Sequence, residues 1–379
     1  MSPELNGNDA LLMVGASEHY ADLFYATRFR APDPFVFLWT PSEKLLLASN
    51  LEIDRARDQA RVDRVLPYAS YERKARERGR EQPNAKDVLL ELLRDLGLQK
   101  LSVAAEFPLG TADFLRGAGL ALEVAATPLF PQRLIKDDEE IAAIRRAMKA
   151  TEAGMETAIE GIRSAEERNG ELFLDGEVLS AERLRRMVHR TLMDCGCVGE
   201  HTIIAGGDQG CDPHQEGFGP LRAHETIIID IFPRDERSGY YGDLTRTVCK
   251  GAAPEEARRL YQTVLAAQQL GLDQIRPGAQ GHEIHQSIQQ FFIEAGYETG
   301  KRDGFMQGYF HGTGHGLGLE IHEGPSIGRR EDQLVAGHIV TMEPGLYYRD
   351  LGGVRIEDTV VVREGGYENL ATLPKVFEV

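Results

Sequence analysis

The chain has 379 residues, 42% apolar and 27% charged, a composition that suits a globular protein with enough core for one large domain or two ordinary ones. Sixty acidic against 43 basic residues leave a net charge of −17. That sign argues against nucleic acid and against an anionic membrane as partner, because both require basic surfaces.

The first twenty residues lack a basic segment followed by an apolar one, so no secretory signal is expected. No run approaches the ~18 apolar residues of a membrane span. Four cysteines, Cys195, Cys197, Cys211 and Cys249, are too few for a disulfide scaffold, and no second pair completes a zinc site with Cys195 and Cys197. Reduced thiols and a cytoplasmic location are the expectation.

From residue 10 to 130 strand-like and helical patterns alternate. The apolar runs 35–40 and 44–49 flank Pro41-Ser42-Glu43, which predicts a hairpin-like pair. Residues 85–98 carry a helical apolar period that ends at Gly97, a natural C-cap. Residues 101–106 read as another short strand. None of these segments holds a catalytic constellation, and 1–133 is read as a mixed α/β accessory domain. A boundary falls near Pro131, so that 134–379 forms the second domain. There Ile141, Ile144, Met148, Met155, Ile159 and Ile162 recur at three, four and seven, one face of a long helix with acidic residues in its first turn. Strand-like runs follow at 202–205, 226–232, 339–343 and 354–362, with helical patterns at 255–275 and 281–295.

The chemistry-bearing residues sit at the ends of these runs. Asp230 ends three isoleucines, and Asp243 lies thirteen residues later on what reads as the returning strand. Two carboxylates on adjacent buried strands repel at high cost unless a cation lies between them. Residues 311–323, HGTGHGLGLEIHE, set three histidines among four glycines, which rules out the helical metalloprotease pattern. In an extended segment His311 and His315 share a face, whereas His322 has the opposite parity and needs a twist or bulge to join them. Glu343 follows an apolar strand that Pro344-Gly345 should stop, Asp350 to Gly353 should turn the chain back, and Glu357 falls within a β-branched strand. A lone glutamate in such a strand usually faces solvent; here it completes a set. Asp230, Asp243, His315, Glu343 and Glu357 make an oxygen-rich site suited to two divalent cations such as Mn²⁺, with Co²⁺ or Zn²⁺ as alternatives. Bridging carboxylates hold such ions ~3.5–4 Å apart, and ions so held bring a water's pKa near neutrality. Glu343 is then the candidate to take that water's proton and return it to a leaving nitrogen.

With these residues in hand, the sequence resembles the superfamily of methionine aminopeptidases, prolidases, aminopeptidases P and creatinases. The likeness runs over about 130–379 through IIIDIF, GYYGDLTRT, HGTGHGLGLEIHE, TMEPGLYY and GVRIEDTVVV, with ligands in the family order Asp, Asp, His, Glu, Glu. It implies an α/β "pita-bread" domain, a curved antiparallel sheet covered by helices with the site on its concave side. The smaller N-terminal domain fits the prolidase, aminopeptidase P and creatinase branch. By the resemblance, His214 and His322 stabilise the reacting carbonyl, His311 lines the pocket near the substrate's proline, and Arg355 orients site carboxylates. The implied reaction is hydrolysis of the bond before proline in dipeptides or short peptides. A dipeptidase must also hold the free carboxylate after proline. Arg329, fourteen residues before Glu343, stands about where prolidases carry that arginine, although a solvated loop arginine reads nearly as well. The Xaa-Pro dipeptidase reading is preferred, with Xaa-Pro aminopeptidase as the alternative and a non-catalytic binding protein of this fold as a remote one. A homodimer is implied, with 25–35 as a loop that could reach a partner's site.

Overall fold

The computed structural model describes Leu5 and residues 7–379, so the amino-terminal stretch examined for a leader begins outside the described residues. These residues form two compact units that divide between Arg133 and Leu134. The first unit is built on a six-stranded sheet. Its strands are β1 (Ala10–Gly15), β2 (Phe35–Trp39), β3 (Lys44–Ala48), β4 (Arg64–Pro67), β5 (Lys100–Val103) and β6 (Ala121–Val124), in the order β4-β3-β2-β1-β5-β6. The predicted hairpin is there: β2 and β3 pair antiparallel, Phe37 against Leu46. The helix over 85–98 is Ala85–Asp95, opened by an Asn84/Asp87 capping box, and Gly97 lies beyond it at φ +68°. Leu12, Leu38, Leu45, Val88, Leu92 and Leu101 meet in one of the cores beside this sheet.

The second unit opens with a 26-residue helix, Asp138–Arg163, which we call α1. Asp137 accepts from the Glu140 N–H and Glu140 reaches back to Asp137, while acidic residues in the first turn meet the positive end of the helix. Its predicted apolar face is buried throughout. Then come β7 (Ile203–Gly206), β8 (Thr226–Ile231) and β9 (Leu244–Cys249), an antiparallel sheet in the order β7-β8-β9. Two helices follow, α2 (Glu255–Leu272) and α3 (Gly281–Glu294). The last part of the chain holds β10 (Gly314–Gly316), β11 (Glu323–Ile327), β12 (Ile339–Met342), β13 (Gly345–Tyr348), β14 (Gly352–Arg355), β15 (Asp358–Arg363) and β16 (Gly366–Asn369). Five of them form the sheet β11-β10-β12-β15-β16, and β13 pairs with β14. Val264, Ile288, Val340, Met342, Leu346 and Val360 pack α2 and α3 onto these strands.

The strand stops at Pro344-Gly345 as expected: β12 ends at Met342, the chain passes through Glu343 and Pro344 into β13 in another sheet, and it turns back into β14 near the expected 350–353. Proline has no N–H to give to a ladder, so the pairing stops there while the direction persists. Two other expectations change. Glu357 lies outside any strand, in the two-residue break between β14 and β15. Residues 311–323 are not one extended segment either. Within it 314–316 is strand, squeezed between β11 and β12 with a register shift, His322 stands in a bend, and Glu323 opens β11. Glycine is required there, since a Cβ on Gly314 would sit 2.0 Å from the Thr341 carbonyl oxygen and one on Gly316 2.0 Å from that of Gly324.

Candidate metal centre

Each of the five expected ligands lies on a strand or directly beside the end of one. Asp230 is the fifth residue of β8 and pairs with Thr245 across the ladder; Asp243 immediately precedes β9. His315 is the middle residue of β10, Glu343 follows β12, and Glu357 occupies the break before β15. All five line one cavity of about 670 Å³. One ligand atom from each of Asp243, His315 and Glu357 falls within 4.8 Å of the others. His315 Nε2 stands 3.6 Å from an oxygen of Asp243 and 3.6 Å from one of Glu343.

The protonation pattern of this cluster calls for a cation. His315 Nδ1 lies 3.1 Å from the Gly316 carbonyl oxygen, so the ring proton belongs on Nδ1 and the Nε2 lone pair faces the carboxylates. Burial, reinforced by His322, pushes the His315 pKa down to about 4, which keeps the ring neutral. Burial also pushes the Asp243 and Glu343 carboxyls well above the usual carboxylate range, with Glu357 the leading charge that adds to it. Glu357 itself is raised to about 8 by burial and then by Asp230. A lone pair and several carboxylates converging in one buried place repel one another, and divalent ions supply the missing countercharge. Asp230 Oδ1 adds a second sign, being buried with no hydrogen-bond partner. The residues present therefore fit a pair of hard divalent cations.

Around the carboxylates runs a chain of oriented donors. Arg355, fully buried, donates from one nitrogen to Asp230 Oδ2 at 2.7 Å and from another to the Tyr347 hydroxyl at 3.1 Å. The Tyr347 O–H donates to His311 Nε2 at 2.8 Å, and His311 Nδ1 donates to the Gly312 carbonyl at 2.7 Å. Burial, then the Arg355 charge, drives the His311 pKa down to about 3, so the ring is a fixed neutral wall. Thr245 donates its hydroxyl to Glu357 Oε2 at 2.8 Å.

The remaining sequence-selected residues are distributed as follows. His214, His311, His322 and Arg355 all line the same cavity, and the His315 and His322 rings meet edge-on with centroids 4.4 Å apart. The bend between β10 and β11 achieves this, where parity along a strand had demanded a bulge. Arg329 is outside the cavity lining; it is exposed, and its positive charge helps lower the pKa of buried His285, after burial itself. Sequence reasoning passed over Thr245 and Tyr347. Thr245 had a signal, since it lies two residues after Asp243 and strand alternation turns both to one face. Tyr347 had none beyond its place in GLYY. The rim residues His201, Asp212 and Glu216 also went unread, and His201, at φ +54°, holds Glu216 at 2.7 Å across that rim.

The sequence pattern of metallopeptidase family M24 matches residues 142–364, more than half the chain and the whole of this ligand set. The chain belongs to metallopeptidase family M24. Among curated relatives of this M24 chain, the putative dipeptidase YkvY of Bacillus subtilis is 27% identical over 368 residues, covering 93% of this chain and 92% of that one. The Xaa-Pro dipeptidase of Pyrococcus furiosus is 32% identical over 242 residues, 63% of each chain. Among solved structures, the X-Pro aminopeptidase from Thermotoga maritima superposes with a TM-score of 0.81 at 25% identity, covering 98% of both chains. The second unit is thus the pita-bread fold of M24 metallopeptidases, and the chain is an enzyme of that family. Among the described residues, no helix is long and apolar enough to cross a membrane.

Proposed function

We propose that this M24 metallopeptidase is an Xaa-Pro dipeptidase, cutting the bond before proline in dipeptides. The observation that carries the reading is the state of Arg329. Arg330 beside it approaches Asp332 at 3.8 Å, whereas Arg329 makes no ion pair or hydrogen bond among the described residues. An exposed, unengaged guanidinium whose charge is felt at His285, itself bonded to Thr313 beside the cavity strand, suits capture of a carboxylate that ends the substrate just past proline.

In this reading Asp230, Asp243, His315, Glu343 and Glu357 hold two divalent ions, Mn²⁺ by the chemistry of four carboxylates and one imidazole. The ions, when bound, supply Lewis acidity and a nucleophile at neutral pH. Glu343 takes a proton from the attacking water and delivers it to the proline nitrogen as the bond breaks. The leaving nitrogen needs that proton, because an unprotonated amide anion is too poor a leaving group. His214 and His322 donate N–H groups to the carbonyl oxygen as charge builds there. His322 is neutral at pH 7, its pKa lowered by burial and then by His214, so it enters the reaction as a hydrogen-bond donor without a fixed charge. His311, locked by Tyr347, shapes the wall against the proline ring, and Arg355 keeps Asp230 aimed. Four free cysteines, three of them buried, support action in a reducing compartment.

The test is a matched pair of substrates, Xaa-Pro and Xaa-Pro-Yaa, given to metal-stripped protein with and without Mn²⁺. Cleavage of the dipeptide alone, and only with metal, is the expected result. Tripeptide cleavage with little dipeptide turnover would make the chain an Xaa-Pro aminopeptidase, the activity named for the Thermotoga maritima structure.

A further inference from the structure

Ile356 and Glu357 belong to neither neighbouring strand, so their backbone groups need partners outside a ladder. The Ile356 N–H reaches the Pro344 carbonyl at 3.4 Å, and the Glu357 N–H reaches that of Thr245 at 3.1 Å. The Glu357 carbonyl is taken by a guanidinium: Arg246 donates to it at 2.6 Å. The same guanidinium donates to the carbonyls of Thr245 at 3.0 Å and Leu373 at 2.8 Å, and pairs with Asp358 at 3.0 Å. Both side chains of that pair are 1% exposed. Lys375 at 2.6 Å and Asn369 at 2.9 Å hold the other oxygen of Asp358.

Strand alternation explains the arrangement. Thr245 and Arg246 are neighbours on β9 and point to opposite faces. Thr245 sends its hydroxyl to the Glu357 carboxylate, while Arg246 grips the Glu357 carbonyl from behind. Glu357 is held at both ends by consecutive residues of one strand. None of Arg246, Asp358 and Lys375 lines the cavity. A buried ion pair is a costly way to fill space, and apolar side chains would close the same gap at least as stably. Apolar side chains could not grip a carbonyl at a strand break.

We propose that Arg246, braced by Asp358 and Lys375, is a positioning residue that sets Glu357 for cation binding. This rests on the reading of Glu357 as a metal ligand. The experiment is calorimetric titration of metal-stripped protein with Mn²⁺, run beside thermal melting of the metal-free form. Arg246→Lys keeps the charge opposite Asp358 and loses the fork. It should bind Mn²⁺ about ten- to a hundredfold more weakly than the parent, the usual effect of losing a group that orients a ligand. Leu260→Ala, a cavity in the fully buried core of α2, is the control for general loosening and should bind as the parent does. Parent-like affinity in Arg246→Lys would overturn the proposal. So would equal weakening in Leu260→Ala at a matched loss of melting temperature. Should Arg246→Lys show no cooperative melting, Asn369→Ala and Lys375→Met, which each remove one brace, carry the test: a severalfold weakening supports it and unchanged affinity overturns it. A parent protein that takes up no Mn²⁺ would instead sink the metal reading, and the proposal with it.

Discussion

Glu343 sits where several acids crowd together out of water, and its side chain is the simplest place to separate chemistry from folding. Glu343→Gln keeps the shape and removes one charge from a mutually repelling group. Turnover of an Xaa-Pro substrate should fall by roughly 10²–10⁴-fold, the range for loss of a general base. The metal-free variant should melt no lower than the parent, because repulsion has been relieved; steady-state kinetics beside a calorimetric melt checks both halves. Arg329 is tested through the form of the defect. Arg329→Ala should raise KM for Xaa-Pro by about 10–100-fold, the worth of a hydrogen bond to a charged group, and leave any turnover of Xaa-Pro-Yaa unchanged. A matched loss on both substrates would count against a role in holding the terminal carboxylate. Among the candidate ligands, Asp230 and Glu343 were legible because each is a charged group at the end of an apolar run, where a solvated face gives no reason for it; His315 stood out by the glycines around it, and Glu357 only by completing the set. Arg329 was legible only through likeness, and its surroundings are those of an ordinary loop.

At the scale of elements, the long helix and the hairpin of the first unit followed from periodicity and turn residues, which are local properties. The strand breaks did not. Val354, Arg355, Ile356, Glu357 and Val360 read as one β-branched strand, and nothing local says that pairing stops for two residues between β14 and β15. That stop depends on Arg246, distant in sequence, satisfying the Glu357 carbonyl. The histidine segment misled for a related reason. It reads as one extended segment, whereas Gly314 and Gly316 let β10 lie against its neighbours and His322 reaches the site through a bend. Gly314→Ala should therefore destabilise the fold by about 3 kcal/mol or more, the upper range for overpacking, since the obstructing atom is a backbone oxygen that cannot swing away. Urea denaturation followed by circular dichroism measures it, and a change under 1 kcal/mol would show that β10 can shift.

For the whole molecule, acid should act before the active site is considered. Burial, with Lys136 adding to it, lowers the His338 pKa to about 4. The unfolded chain, with an ordinary histidine near 6.5, binds more protons between pH 6.5 and 4. This group's contribution is thus full above pH 6.5 and is lost as pH falls toward 4, amounting to about 3 kcal/mol across that window. His338→Gln should flatten the pH dependence of unfolding there by a comparable amount, measured by denaturant titrations at several pH values. The spread of the metal centre along the chain has a different consequence. Asp230 and its partner Arg355 stand 125 residues apart, and Glu357 comes later still. During synthesis the first unit and α1 leave the ribosome well before the last ligand is made. Metal capture is therefore a closing event, able to reward a finished fold and unable to template an early one. Refolding in Mn²⁺ should show helical signal recovering ahead of ion uptake, and the cell gains a peptidase that stays inert until Glu357 has been made.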